Sequence, residues 1–107
     1  MPLANVDKPL VSVIIVNYNG GDITLKSVVS VLNSDYPDLE VIVVDNGSTD
    51  GSVEKVEELG SPRVKVIKLG RNTGFSFANN VGAGAARGLL LFFLNNDAFV
   101  ERSAIST

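Results

Sequence analysis

The sequence has no cysteine and no histidine among its 107 residues. Without cysteine, neither a disulfide scaffold nor a thiolate metal site is available. Without histidine, imidazole-based triads and most zinc sites are excluded as well. Charge is also scarce, with Asp, Glu, Lys and Arg making up 20% of the chain and a formal net charge of −3. The Lys and Arg residues are scattered between Lys8 and Arg102 with no run among them. No basic patch exists to neutralise phosphates, so nucleic acid is not an expected partner. Long apolar runs are missing too. The longest, residues 13–16 and 89–94, are far too short to span a bilayer. The N-terminus shows no charged segment followed by an apolar one. A soluble, cytoplasmic chain is the expectation, with chemistry confined to carboxylates, amides, hydroxyls, backbone groups and a borrowed metal.

What is present is apolar. Hydrophobic residues reach 45%, ample for one core in a chain of single-domain length. Paired with so little charge, this suggests a segment that hides some surface against something else. Residues 11–16 read VSVIIV, β-branched and apolar at nearly every position, as in a strand covered on both faces. After Asn17-Tyr18-Asn19-Gly20-Gly21 the period changes. Leu25, Val28, Val29 and Leu32 share a helical face, with Asp22 as the expected N-cap and Pro37 among the stop signals. Residues 39–44 (LEVIVV) form a second expected strand. A short helix follows with Val53, Val56 and Leu59 inward, closed by Gly60 and Pro62. Residues 64–69 (VKVIKL) make a third strand and residues 75–87 an Ala- and Gly-rich helix suited to close packing. Residues 89–94 (LLLFFL) read as a fourth, buried strand. This alternation predicts an α/β fold, three layers around a parallel sheet. Residues 1–9 read as a loose leader, residues 10–107 as the domain, and residues 98–107 as the start of a further element.

In a parallel sheet every strand sends its C-terminal end to one edge, where ligands bind. The expected strands deliver Asn17, Tyr18 and Asn19; then Asp45, Asn46 and Gly47; then Arg71 and Asn72; then Asn95, Asn96 and Asp97. The opposite edge carries ordinary stops. Asp45 reads either as a turn residue of DNGSTD or as a carboxylate accepting hydrogen bonds from a base or ribose. Asp97 reads either as a helix cap or as a hard oxygen ligand for Mg²⁺ or Mn²⁺. Arg71 is either a solvated charge or a phosphate or base contact, and Tyr18 either wall packing or a partner for a base. Gly47, Ser48 and Thr49 are expected to serve the turn.

Four stretches carry a family resemblance: VSVIIVNYNG (residues 11–20), VIVVDNGSTDGS (41–52), GRNTGFSFANNVGAGAARG (70–88) and LLLFFLNNDA (89–98). In this order and at these strand ends they resemble the inverting family-2 glycosyltransferases of GT-A fold, over roughly residues 10 to 100. The resemblance implies a Rossmann-like sheet of strand order 3-2-1-4, truncated before its acceptor half. It also implies a UDP- or dTDP-sugar donor and an acceptor saccharide or lipid-linked saccharide. It places Asn17, Tyr18 and Asn19 along the base pocket, with Asp45 reading the base and Arg71 and Asn72 near base or ribose. Residues 74–79 would close over that side. Asn95-Asn96-Asp97 matches the position of the family's metal-binding Asp-x-Asp. The first Asp is replaced by Asn95, which leaves Asp97 as main ligand of Mg²⁺ or Mn²⁺ and Asn95 contacting ribose or a metal-bound water. Together with GFSFANN, this form looks most like members acting on surface polysaccharides, rhamnosyltransferases among them.

In this family the general base is a carboxylate further along the chain, so no catalytic residue is nominated here, and Glu101 is not a candidate. Family members often work at the cytoplasmic membrane face. One rival, a dinucleotide-dependent oxidoreductase, would require G-x-G-x-x-G after the first strand, where Asn17-Tyr18-Asn19-Gly20-Gly21 stands instead. The other rival is a non-catalytic α/β nucleotide-binding or assembly module. With strand order 3-2-1-4, Asn19 and Asp97 would bound the crevice, with Asp45 one strand away. Residues 89–94 would form a bare apolar edge, through which two copies are expected to pair.

Overall fold

A computed structural model describes residues 9–94. Its elements alternate as the sequence pattern predicts: β1 (Val11–Asn17), α1 (Gly21–Leu32), β2 (Leu39–Asp45), α2 (Ser52–Glu57), β3 (Val64–Lys68), α3 (Phe75–Ala85) and β4 (Leu90–Leu94). The strands form one sheet in the order β3-β2-β1-β4, and every pair is parallel. Each crossover must therefore carry the chain back over a sheet face, and the helices provide these returns.

The two faces of the sheet bury two separate clusters. Val11, Val13 and Ile15 of β1 pack with Val41 and Val43 of β2 against Val28 and Val31 of α1 and Val56 of α2. Ile14, Val16, Ile42 and Val44 point the other way and meet Ala78 of α3. Side chains alternate across a strand, so a strand covered by helices on both sides must be apolar at both parities. All seven residues of β1 are buried. On the α3 side the approach is set by Gly82: a Cβ there would stand 2.6 Å from Ile14 Cγ2 and 3.1 Å from Val44 Cγ2.

The polar position inside β1 is also accounted for. Ser12 is fully buried; its Oγ donates to Glu40 Oε2 at 2.6 Å and accepts from Gly88 N at 2.9 Å. Arg87 N donates to the same Glu40 oxygen at 2.7 Å. This network fixes the turn that launches β4 alongside β1, and Leu89 N donates to Leu10 O at 2.9 Å to complete it.

Several local expectations are corrected. Asp22 does not cap α1. The chain enters through Gly21 at φ +59 with Gly20 at the N-cap. Asp22 falls in the first turn, where the helix dipole favours a carboxylate and where it pairs with Lys55 of α2. The buried face of α1 is Thr24, Ser27, Val28 and Val31. It is turned from the expected stripe because Thr24 Oγ1 is drawn inward to donate to Asn17 Oδ1 at 2.6 Å. Leu59 lies past the end of α2 and is 37% exposed. The fourth strand is not buried: Leu90, Leu91, Phe92 and Phe93 are exposed. The helices lie over β1 and β2, so β4 extends beyond both helical layers. Among the described residues no helix is long and apolar enough to cross a membrane.

Candidate functional site

The C-terminal edge of the sheet is built around two register partners, Asn17 and Asp45, the last residues of β1 and β2. Asn17 is fully buried and Asp45 nearly so. Asn17 Nδ2 donates to Asp45 Oδ1 at 2.9 Å, to Ser52 Oγ at 2.8 Å and, more distantly, to Ser48 Oγ at 3.2 Å. Its Oδ1 accepts from Thr24 Oγ1 and from Gly20 N at 3.2 Å. Every hydrogen-bonding position of this amide is occupied by protein. Asn17 is thus a joint between β1, β2, α1 and α2.

Asp45 is held from its other side as well, for Ser48 N donates to Oδ2 at 3.0 Å. Among the described residues, two of the roughly four acceptor positions of its carboxylate have no partner. The DNGSTD segment thus forms the turn that composition suggests, and it also fixes the rotamer of its leading carboxylate.

The loop after β1 is stitched to the loop after β2. Asn19 takes a positive φ of 51°, a conformation Asn tolerates better than most side chains. Its N–H donates to Ser48 Oγ at 2.8 Å, and its Oδ1 accepts from Thr49 N at 2.8 Å. Asp50 accepts from Ser52 N at 2.9 Å and from Gly21 N at 3.0 Å. The Ser52 side chain and backbone, then the Gly21 N–H, hold its carboxyl below the ordinary value against a smaller effect of burial. Tyr18, between these anchored neighbours, is 50% exposed.

The third wall comes from the loop between β3 and α3. Asn46 is 3% exposed; its Oδ1 accepts from Thr73 N at 2.7 Å and from Thr73 Oγ1 at 2.9 Å, while its Nδ2 donates to Gly74 O at 3.3 Å. Gly47 has φ +85, and a Cβ on it would lie 2.7 Å from both Cα and C of Arg71. The two backbones touch. Arg71 and Asn72 are exposed and, with Thr73 and Phe77, line an open depression of about 280 Å³. Asn72 Oδ1 accepts from Gly74 N at 3.0 Å, which closes the turn into α3.

Of the residues singled out from the sequence, Asn17, Asn19 and Asp45 belong to one hydrogen-bonded network. Arg71 and Asn72 stand on a loop bolted to the end of β2. Asn95, Asn96 and Asp97 lie outside the described residues. Asn46 and Ser48 stand in the sequence reading only as a strand-end and a turn residue, and Ser52, Thr24 and Thr73 not at all. Asn46 alone carried a signal, as a second amide directly after an apolar strand. Among the described residues no three acidic side chains gather as a metal cluster would require; Asp45 and Asp50 each accept two hydrogen bonds from protein. The strand order reverses between β1 and β4, the position where open α/β sheets hold their ligands.

A parallel sheet with this switch point, an anchored carboxylate beside it and Arg71 on its flank defines an open α/β domain with its ligand edge at the strand C-termini. The family model described as glycosyl transferase family 2 matches residues 12–107, and the chain belongs to that family. ExoO, a succinoglycan biosynthesis protein of Rhizobium meliloti, is 38% identical over 97 residues, covering 90% of this chain and 28% of that protein. Among solved structures, S. aureus TarS 1–349 in complex with UDP-GlcNAc matches with a TM-score of 0.84 and 29% identity, over 90% of this chain and 29% of that one. A mannosyltransferase of Pyrobaculum calidifontis in complex with GDP-Man and Mn²⁺ matches with a TM-score of 0.80 and 28% identity, over 86% of this chain and 28% of that one. The fold is GT-A. The chain spans less than a third of the length of each of these three proteins.

Proposed function

We propose that this chain supplies the donor site of a glycosyltransferase that moves a sugar from a UDP- or dTDP-sugar to an acceptor hydroxyl, with inversion, in cell-surface polysaccharide synthesis. The observation that carries this reading is the carboxylate of Asp45. It is fixed by Asn17 and Ser48 at the switch-point edge, yet keeps two acceptor positions for the N–H or hydroxyl donors of a nucleoside. Tyr18 and Asn19 line the base pocket and Asn17 stands behind them. Arg71 and Asn72 border the base, ribose or diphosphate from the loop after β3.

The reading includes a divalent cation, Mg²⁺ or Mn²⁺. The described carboxylates do not supply its ligands, so the proposed ligand is Asp97, with Asn95 and Asn96 beside it. When bound, such a cation stabilises the negative charge that develops on the departing nucleoside diphosphate. The chain's own contribution is to bind and orient the donor. The acceptor is a saccharide or lipid-linked saccharide, met in the cytoplasm at the membrane face. Self-association of two copies through β4 belongs to the same proposal.

A second reading is a nucleotide-binding module without transferase activity, in which the Asp45 edge holds a nucleotide and nothing more. Calorimetric titration of UDP and dTDP into the protein and into Asp97→Asn, with and without Mn²⁺, separates the two. Binding that depends on the metal and is lost in the variant supports the donor site. Metal-independent binding, equal in both proteins, supports the module. No binding of either nucleotide to the folded protein removes both readings.

A further inference from the structure

We infer that Asn46 is the positioning residue for Arg71, setting the guanidinium where a nucleoside diphosphate meets it without touching that ligand itself. The inference rests on the donor-site reading above. The Asn46 side chain lies behind the loop, 3% exposed, and spends its amide on the backbone and hydroxyl of Thr73 and on the carbonyl of Gly74. Its own N–H donates to Asn17 O at 2.8 Å, so Asn46 is fixed to the centre of the sheet before it holds anything else.

The segment it holds is clamped at three points. Leu69 N donates to Asp45 O at 2.9 Å at the near end. Thr73 and Gly74 are bonded to Asn46 at the far end. Between them the Arg71 backbone sits on Gly47, where no Cβ fits. The Arg71 side chain stands outside this clamp: it is exposed and makes no hydrogen bond or ion pair among the described residues. It lines the depression shared with Asn72, Thr73 and Phe77.

A guanidinium recognises anionic or carbonyl oxygens through a planar fork, so its value depends on the direction from which it is presented. A fixed backbone removes part of the ordering cost that a mobile loop would incur on binding. Removing the Asn46 amide frees the Thr73 N–H and hydroxyl and the far end of the segment. Arg71 then keeps its charge and loses its aim.

The test is a double-mutant cycle read by UDP titration, with dTDP and GDP as parallel probes, on the protein, Arg71→Ala, Asn46→Ala and the double variant. Each single variant is expected to weaken UDP binding about tenfold, in line with the loss of one well-placed charged contact. The double variant should be scarcely weaker than either. Asn46→Asp, which keeps an oxygen facing Thr73 but loses the donor to Gly74 O, should recover only part of the affinity lost in Asn46→Ala and serves as the readout where Asn46→Ala does not fold. Asn46→Ala weakening UDP equally with and without Arg71 would overturn the inference, as would Arg71→Ala binding UDP like the unaltered protein. An unaltered protein that binds none of the three nucleotides removes the donor-site reading, and the inference with it.

Discussion

The Asn17 amide donates to the Asp45 carboxylate across 2.9 Å, between two side chains that are 0% and 4% exposed. The contact exists because β1 and β2 pair in parallel with Asn17 opposite Asp45. A slip of either strand by one residue would send its side chain to the opposite face and part the pair. The bond therefore reports the register of the two central strands, and it fixes the carboxylate on which nucleoside recognition is proposed to depend.

Replacing Asn17 by Ala should accordingly be among the more damaging polar substitutions in the chain. It would strand Asp45 Oδ1 and the Gly20 N–H, and each stranded group costs about 1–3 kcal/mol. Local relaxation recovers part of that, so a net loss of about 3 kcal/mol is expected from urea unfolding. A loss below about 1 kcal/mol would show that the amide is not the joint described here.

Gly47→Ala tests the contact between the β2 turn and the Arg71 loop. The substitution meets two obstacles, a left-handed φ of +85 and the Arg71 backbone at 2.7 Å. The first costs about 1–3 kcal/mol for a residue with a Cβ. The second cannot be relieved by a rotamer change, since the obstructing atoms are main chain. A destabilisation of about 2–4 kcal/mol is expected, with faster hydrogen exchange concentrated in residues 70–74. Unchanged exchange in that segment would count against the clamp.

The order and type of every element were legible in the sequence because apolar period and strand-end punctuation agreed at each one. The details that escaped depend on partners distant in the chain. Thr24 turns α1 inward to reach Asn17, and nothing local to the helix announces this. Asp22 looks like a cap until Gly20 and Gly21 provide a different entry. LLLFFL reads as buried because hydropathy reports what a strand needs, whereas exposure depends on how far the helical layers extend. Asn17 and Asp45 were both found as strand-end polar residues. Composition distinguishes neither a saturated amide from an open one nor a wall from the support behind it. The role of Asn46 depends on Thr73 and Gly74, 27 and 28 residues on, and nothing beside it in the sequence announces them.

Acid should loosen the base of β4. Burial alone would raise the Glu40 carboxyl. The hydrogen bonds from Ser12 and the Arg87 N–H, aided by the charges of Lys65 and Arg87, outweigh burial and hold it below its ordinary value. A carboxyl with a depressed folded-state pKa contributes stability above the unfolded-state value, roughly pH 4.3 for glutamate. That contribution is lost as the pH falls through the folded value. Glu40→Gln should therefore cost stability at neutral pH and converge with the unaltered protein in acid. Parallel stability curves for the two proteins from pH 7 down to pH 3 would exclude this role.

The bare edge at β4 gives the last prediction. Leu90, Phe92 and Leu94 share one face of the strand, and Leu91 and Phe93 the other, by their register with Val11 to Ile15. Leu90 to Phe93 are between 39% and 53% exposed, and Leu89 beside them reaches 81%. The strand has no lysine, no proline and no charge from residue 89 to residue 94 to guard its edge. Apolar on both faces and paired with β1 alone among the described strands, it should be self-complementary to a second copy related by a two-fold axis. Antiparallel pairing of the two β4 strands would then continue the sheet across the dimer. Sedimentation should show association that grows with concentration, and Leu91→Lys should shift it toward monomer by placing a charge on the pairing surface. A protein that stays monomeric at millimolar concentration, or a Leu91→Lys variant that associates as strongly as the unaltered chain, would show that β4 does not pair with itself.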